Sequence, residues 1–132
     1  MYFFSGGPAS PGGADIYRAA FREGKYGSPE RVGDTINTRA DEVDPYVAPD
    51  HSFLIFGSTR PGGMGKSDLY ISLNRGGQWG PPRNLGPQVN SAASEVCPAV
   101  SPDGRYLFFT STREGGRPRI YQIDIGALRF AE

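Results

Sequence analysis

The sequence is poor in the residues on which most metal sites and many enzymes depend. Its 132 residues include one cysteine and one histidine, so Cys97 has no partner for an internal disulfide and zinc would lack its usual ligands. Fourteen basic and fourteen acidic residues cancel, which argues against nucleic acid or an anionic membrane as a partner. No apolar run approaches the roughly 20 residues that span a bilayer. These absences predict no metal, no cofactor and no membrane insertion.

Turn-forming residues, in contrast, are abundant. The chain contains 19 glycines and 12 prolines, and both residue types are unfavourable inside helices. Its 8 Phe, 7 Tyr and 1 Trp are too many for a disordered chain. This composition favours an all-β fold of short strands joined by Gly/Pro turns.

The strongest pattern is an internal repeat with a period of 53 residues. Residues 1–52 match residues 54–105 at 19 positions without a gap. The matches include Asp15 with Asp68, Tyr17 with Tyr70, Asn37 with Asn90, Glu42 with Glu95 and Pro45 with Pro98. A third copy begins at Phe109 and loses two residues in its loop, so that Tyr121 lies 51 residues after Tyr70. Regular self-similarity near 50 residues is typical of stacked units, and a β-propeller is the leading all-β candidate.

Each full period is predicted to form a four-stranded antiparallel blade. In the second copy the strands are 43–47, 53–58, 68–73 and 79–85, and two prolines mark the last as the outer edge strand. The first copy should contain strands near 2–5, 15–21 and 26–33, and the third copy at least three strands. The predicted core consists of recurring positions: Phe3, Phe56 and Phe109; Tyr17, Tyr70 and Tyr121; and Val47 and Val100 on the inner strands.

The chain is therefore predicted to be a single partial β-propeller of about 2.5 blades. Blade 1 is incomplete and covers 1–35, blade 2 covers 36–88, and blade 3 covers 89–132 without a full outer strand. Phe130 aligns with Trp79, where a fourth strand would begin. Because closed propellers have roughly 4–8 blades, we expect the remaining blades to lie upstream in a longer protein. A homo-oligomer partner is the second possibility.

The glycine-rich loops should share one rim of the propeller with the linkers between blades. These segments are the loops 5–15, 60–68 and 113–119 and the linkers 36–42 and 89–95. Glycine lets neighbouring corners approach where a Cβ would collide. Asp15 and Asp68, just ahead of their strands, are expected to tie the loops back by hydrogen bonds to backbone amides.

Two sets of rim residues are candidates for binding. Arg60 and Arg113 with Glu42 and Glu95 could form ion pairs between blades, and because they recur, structural bracing is the preferred interpretation. A ligand site would more readily use residues that differ between copies, namely Met64, Lys66, Arg117 and Arg119.

Catalytic motifs are weak. His51 is the only histidine and lies in a turn on the opposite face from the rim, and no Gly-x-Ser-x-Gly elbow occurs. Gly65-Lys66-Ser67 ends like a phosphate-binding loop, but the first glycine of that motif is missing and a strand follows. The apolar neighbours of Cys97 predict a small buried thiol. No catalytic residue is assigned.

Two resemblances bear on function. The string Pro98-x-x-Ser101-Pro102-Asp103-Gly104-Arg105-x-Leu107-x-Phe109-x-Ser111-x-Arg113 resembles the WD40-like repeat of TolB-type propellers, and the likeness covers essentially the whole chain. Its first copy departs from the pattern with Gly6-Gly7 in place of Thr-Arg and with His51 in place of the turn glycine. Ser72-x-Asn74-x-Gly76-x-x-Trp79 resembles the Asp-box of sialidase propellers, a turn that stabilises a hairpin and carries no chemistry.

The TolB-type resemblance implies a non-enzymatic binding or scaffold propeller of the bacterial periplasm or cell envelope. It would engage a protein or a glycan through the rim. No signal peptide is present in the chain, because residues 1–4 lack a basic start and a sufficient apolar segment. The alternative is a glycan-processing, sialidase-like propeller fragment, which would need an arginine cluster and a Tyr/Glu nucleophile pair.

Overall fold

The computed structural model describes residues 1–7, 10 and 12–128, and this part of the chain is built from short antiparallel strands. The protein is 46% strand and 2% helical. The strands are β1 (Tyr2–Ser5), β2 (Asp15–Arg18), β3 (Phe21–Arg22), β4 (Lys25–Tyr26), β5 (Glu30–Arg31), β6 (Glu42–Val47), β7 (Phe53–Ser58), β8 (Asp68–Arg75), β9 (Gln78–Trp79), β10 (Arg83–Asn84), β11 (Glu95–Val100), β12 (Tyr106–Ser111) and β13 (Arg119–Asp124), followed by a 3₁₀ turn at Ile125–Ala127.

Three sheets follow one another along the chain. The first sheet has the order β1-β2-β5, the middle sheet β6-β7-β8-β10 with β9 also paired to β8, and the third sheet β11-β12-β13, while β3 and β4 form a separate hairpin. All of these pairings are antiparallel. Together the strands curl into half of a barrel. The all-β, partial-propeller prediction is thus confirmed.

The bounds of two strands that follow the inner-strand position are well predicted, and those of the outer strands are not. Strands 2–5 and 53–58 have the expected bounds. The expected outer strand 79–85 is instead split into β9 and β10, since Gly80, Pro81 and Pro82 lie between them and proline has no N–H to donate to a ladder. The outer strand of the first copy is likewise divided into β4 and β5. Phe130 lies outside the described residues.

A β-bulge interrupts each inner strand at the same repeat position. The register between β6 and β7 shifts between Val43 and Tyr46, and the register between β11 and β12 shifts in the corresponding place. Asp44 and Cys97, 53 residues apart, both adopt positive φ values there, 50° and 54°. The bulge turns Cys97 outward, so it is exposed, and the prediction of a buried thiol is wrong.

The core consists of two apolar clusters, one at each junction between sheets. Between the first and middle sheets the buried members are Ile16, Ile36, Leu54, Phe56, Tyr70 and Trp79. Between the middle and third sheets they are Ile55, Leu69, Leu85, Val89, Leu107, Phe109 and Leu128. The middle sheet is therefore apolar on both faces, as its sequence suggests.

The recurring Phe and Tyr residues take equivalent positions in all three sheets. Phe3 pairs with Tyr17, Phe56 with Tyr70 and Phe109 with Tyr121, and the rings stack at 5.8, 6.1 and 5.8 Å between centroids. Only Phe56, Phe109 and Tyr70 are fully buried, whereas the other three, like Val47 and Val100, are half-buried. The expected equivalence of these positions is confirmed, and the expected burial holds only where a neighbouring sheet covers the position.

Candidate functional site

A buried glutamate organises the rim at the start of the third sheet. Glu95 accepts hydrogen bonds through Oε1 from the hydroxyls of Ser91 and Ser111, both at 2.6 Å, and through Oε2 from the Ser91 N–H at 2.9 Å. Arg113 Nη2 lies 3.3 Å from the same Oε1. A fully buried carboxylate requires such charge-assisted partners to offset its desolvation. The linker is thereby fixed to the end of β12.

The same arrangement occurs 53 residues earlier in the middle sheet. Glu42 accepts from the Thr38 hydroxyl at 2.8 Å, the Ser58 hydroxyl at 2.9 Å and the Thr38 N–H at 2.7 Å, with Arg60 Nη2 at 3.2 Å. The expected Arg–Glu pairs therefore form. They do not link two sheets, however, because Glu42 lies in β6 and Arg60 follows β7 of the same sheet.

Both arginines are held on several sides. The Arg60 guanidinium lies over the rings of Phe56 and Tyr70, at 5.2 and 4.8 Å, and donates to the Ile36 carbonyl at 2.8 Å. The Arg113 guanidinium lies in the same way over Phe109 and Tyr121, at 5.6 and 4.7 Å, and donates to the Val89 carbonyl. A guanidinium engaged in an ion pair, a carbonyl and two rings is a brace.

An asparagine clamp joins each linker to the preceding sheet. Asn90 Oδ1 accepts from the Leu69 N–H at 2.8 Å, and its Nδ2 donates to the Leu69 carbonyl at 3.0 Å. Asn37 holds Ile16 in the same way, at 2.7 and 2.9 Å. Sequence reasoning noted that the two asparagines match but gave them no role. The presence of asparagine at the same position in both copies was the sequence feature that could have indicated this role.

The glycine-rich loop of the middle sheet is held as expected. Asp68 accepts from the Met64 N–H at 2.5 Å and the Gly65 N–H at 3.0 Å. A Cβ on Gly65 would lie 2.3 Å from the carbonyl oxygens of both Ser91 and Ala93. The loop and the linker are thus in direct contact, and glycine is required for it.

The first copy departs from this pattern. Asp15 is fully buried, but Arg31 Nε donates to its Oδ2 at 2.8 Å, and among the described residues its Oδ1 has no hydrogen-bond partner. Pro11 stands at the repeat position of Met64, and a proline has no N–H. Arg31 stands at the position of Asn84, which donates to Asp68 at 2.7 Å. Among the described residues, an ion pair with Arg31 therefore replaces the hydrogen bonds that Asp15 was expected to accept from loop amides.

A shallow depression opens on the rim between the middle and third sheets. Its volume is about 470 Å³, and it is lined by Lys66, Ser91, Ala92, Ala93, Thr112, Arg113 and Gly116. The Lys66 N–H donates to the Ala93 carbonyl at 2.8 Å, which holds one wall against the floor. The depression therefore joins a glycine-rich loop, a linker and the next loop.

The exposed charges beside this depression are mostly positive. Lys66, Arg117 and Arg119 are exposed, and the exposed acidic residue among them is Glu114, which lies 3.5 Å from Arg119 and accepts from the Tyr121 hydroxyl at 2.7 Å. This hydrogen bond raises the pKa of Tyr121. The nearby carboxylates of Asp68 and Glu95 are buried and internally paired.

The predicted site residues thus fall into three groups. Lys66 and Arg113 line the depression, and Arg117 and Arg119 lie in or directly after the loop that forms its far wall. Arg60, Glu42 and Glu95 belong to the braces. Met64 is exposed in the middle loop, with its backbone tied to Asp68.

The opposite face carries the remaining sequence motifs. The Asp-box-like segment is a hairpin turn in which Asn74 Oδ1 accepts from the Gly77 N–H at 2.9 Å, while Trp79 is buried. His51 contacts the ring of Tyr2 at 6.1 Å between centroids. In the part of the chain that the structure describes, no group of three or more His, Cys, Asp or Glu side chains is placed to hold a metal ion.

Comparison with known proteins gives no family. No family model matches the chain, and no curated protein matches it. Of the helices within the described ranges, none has the length and apolarity to cross a membrane.

Proposed function

We propose that the protein is a non-enzymatic binding or scaffold module that engages an acidic protein or glycan through the rim depression. The observation that carries this proposal is the position of Lys66 in the lining of an open depression, with Arg117 exposed directly after the lining residue Gly116. A concave surface with a few convergent polar groups is the usual form of a ligand site. The location in a bacterial cell envelope rests on the resemblance to TolB-type repeats.

The charge of the rim supports an acidic ligand. Of the buried carboxylates nearby, Glu95 is paired with Arg113, and Asp68 accepts hydrogen bonds from two backbone amides and from Asn84. Lys66 and Arg117 remain exposed to solvent. Such cations attract anionic groups at low ionic strength, and the attraction is screened as salt is added.

The glycan-processing alternative has less support. A sialidase-like site needs a cluster of arginines that is free to hold a carboxylate, but Arg60 and Arg113 are engaged with Glu42 and Glu95. We therefore do not propose a catalytic role.

The test uses isothermal titration calorimetry with two probes, polygalacturonate as an acidic glycan and poly-glutamate as an acidic peptide. We expect at least one probe to bind, and Lys66→Ala and Arg117→Ala each to weaken it about two- to fivefold, as the loss of about 0.5–1 kcal/mol per exposed charge implies. The matched control is Arg75→Ala, which removes one exposed charge from the far end of β8. The proposal is rejected if neither probe binds, or if all three variants weaken binding equally.

A further inference from the structure

The middle sheet shows what each face of a sheet in this protein packs against. Its face toward the first sheet presents Leu54, Phe56, Tyr70 and Trp79, which pack with Ile16 and Ile36. Its other face presents Ile55, Leu69 and Leu85, which pack with Leu107 and Phe109 of the third sheet. At each junction between sheets, the face of one sheet that carries Ile16 or Leu69 thus packs against the face of the next sheet that carries Phe56 or Phe109.

The first sheet leaves one of these faces uncovered. We call it the leading face, and it comprises Met1, Phe3 and Tyr17 together with Tyr26 of the separate β3–β4 hairpin, the repeat counterparts of Leu54, Phe56, Tyr70 and Trp79. Tyr26 is 54% exposed, whereas its counterpart Trp79 is 9% exposed. Met1 is 57% exposed, whereas Leu54 is fully buried. The leading face has the residues of a junction without the sheet that would cover them.

The third sheet leaves the complementary face uncovered. We call it the trailing face, and it comprises Phe108 and Ile120, the counterparts of Ile55 and Leu69. Ile120 is 78% exposed, whereas Leu69 is fully buried. A β-branched apolar residue on a strand is favourable when its face is packed. The trailing face therefore also has the apolar residues of a junction but no sheet packed against it.

We propose that the trailing face of one copy of this chain packs against the leading face of a second copy. The repeat indicates that a second copy covers each open face, because each open face is the counterpart of a face that packs against another sheet of the same chain. Ile16 and Leu69 occupy the position of Ile120, and both are buried at internal junctions. The contact uses the faces of the sheets and requires no exchange of strands.

Head-to-tail contacts of this kind close into a ring when the rotation allows it. One chain supplies three successive sheets with an open face at each end of the row. Counted by the three sheets of each chain, two chains supply six sheets, which falls within the roughly 4–8 blades of closed propellers, whereas three chains would supply nine. We therefore infer a closed dimer with two identical junctions.

The experiment is sedimentation velocity on the chain and on three variants. The wild-type chain should sediment with twice the 14.3 kDa mass of a single chain. Ile120→Lys disrupts the trailing face and Tyr26→Lys the leading face, and each variant alone should shift to the monomer while its far-UV circular dichroism is unchanged. Leu73→Lys is the matched control, since Leu73 is 43% exposed but belongs to the middle sheet, and it should stay dimeric.

Mixing the two disrupted variants distinguishes this junction from any other. A mixed dimer contains one junction in which both faces are native, so an equimolar mixture of Ile120→Lys and Tyr26→Lys should regain dimer. An interface that uses the same patch on both copies would not be rescued in this way. A wild-type monomer, as expected if the blades of another polypeptide cover these faces, would overturn the proposal. So would a dimer that both variants leave intact, or a mixture without rescue.

Discussion

Replacing Asn90 by alanine tests whether the clamp between linker and sheet holds the propeller together. The Asn90 side chain is buried and makes three hydrogen bonds, two to the backbone of Leu69 and one from Nδ2 to Asn84 Oδ1 at 2.8 Å. Alanine cannot replace any of them. The substitution also leaves the Leu69 N–H, on a fully buried residue, without this partner.

The expected loss of stability depends on which hydrogen bonds the former partners of Asn90 retain in the variant. The Leu69 carbonyl still accepts from the Leu85 N–H at 3.0 Å, and Asn84 Oδ1 still accepts from the Gly86 N–H at 2.8 Å. An orphaned buried N–H costs about 1–3 kcal/mol, and each lost bond whose partner is otherwise satisfied about 0.5–1.5 kcal/mol. We therefore expect Asn90→Ala to lower the free energy of unfolding by about 2–6 kcal/mol.

Urea denaturation followed by circular dichroism measures this loss, provided that the slope with denaturant is unchanged. Asn74→Ala is the matched control, because Asn74 accepts a single bond in an exposed turn and should cost about 0.5 kcal/mol or less. Hydrogen exchange at the Leu69 amide should accelerate in Asn90→Ala alone. A loss below about 1 kcal/mol, or an unchanged Leu69 exchange rate, would refute the role of the clamp.

Two further predictions concern the core and the thiol. Phe56→Ala removes a fully buried ring and should lower the free energy of unfolding by about 3–5 kcal/mol. Phe3→Ala, at the half-buried counterpart, should lower it by less. Equal losses for the two variants in urea denaturation would contradict this. Cys97 is exposed, but its surroundings desolvate the sulfur enough to raise the pKa of the thiol, and the charge of Asp44, whose carboxylate lies 3.4 Å from the sulfur, raises it further. Because the thiolate is the reactive form, Asp44→Asn should shift the pH profile of thiol labelling to lower pH, Asp50→Asn should leave it in place, and identical profiles for the two variants would exclude the contact.

Much of the inner architecture could be predicted from the sequence. Composition predicted the all-β fold, and the 53-residue repeat predicted the bounds of β1 and β7 and the equivalence of Phe56 with Phe109 and of Tyr70 with Tyr121. These features depend on local patterns, since turn residues and strand-forming residues act over a few positions. The pairing of Arg60 with Glu42 was also predictable, because both residues recur in the next copy.

Other features depend on neighbours that are distant in the sequence. The partner of Asp15 is Arg31, which has the repeat position of Asn84 and is distant from Asp15 in the sequence. The exposure of Cys97 follows from a bulge whose apolar flanks suggested the opposite.

What the sequence by itself determined is which residues are equivalent in successive sheets. What only the tertiary structure decided is which of these equivalent residues are buried. Leu69 and Ile120 have the same place in the repeat, yet one is buried and the other is 78% exposed. The physical reason is that burial depends on the sheet packed against a residue, and a repeat specifies the faces of each sheet without specifying what covers them.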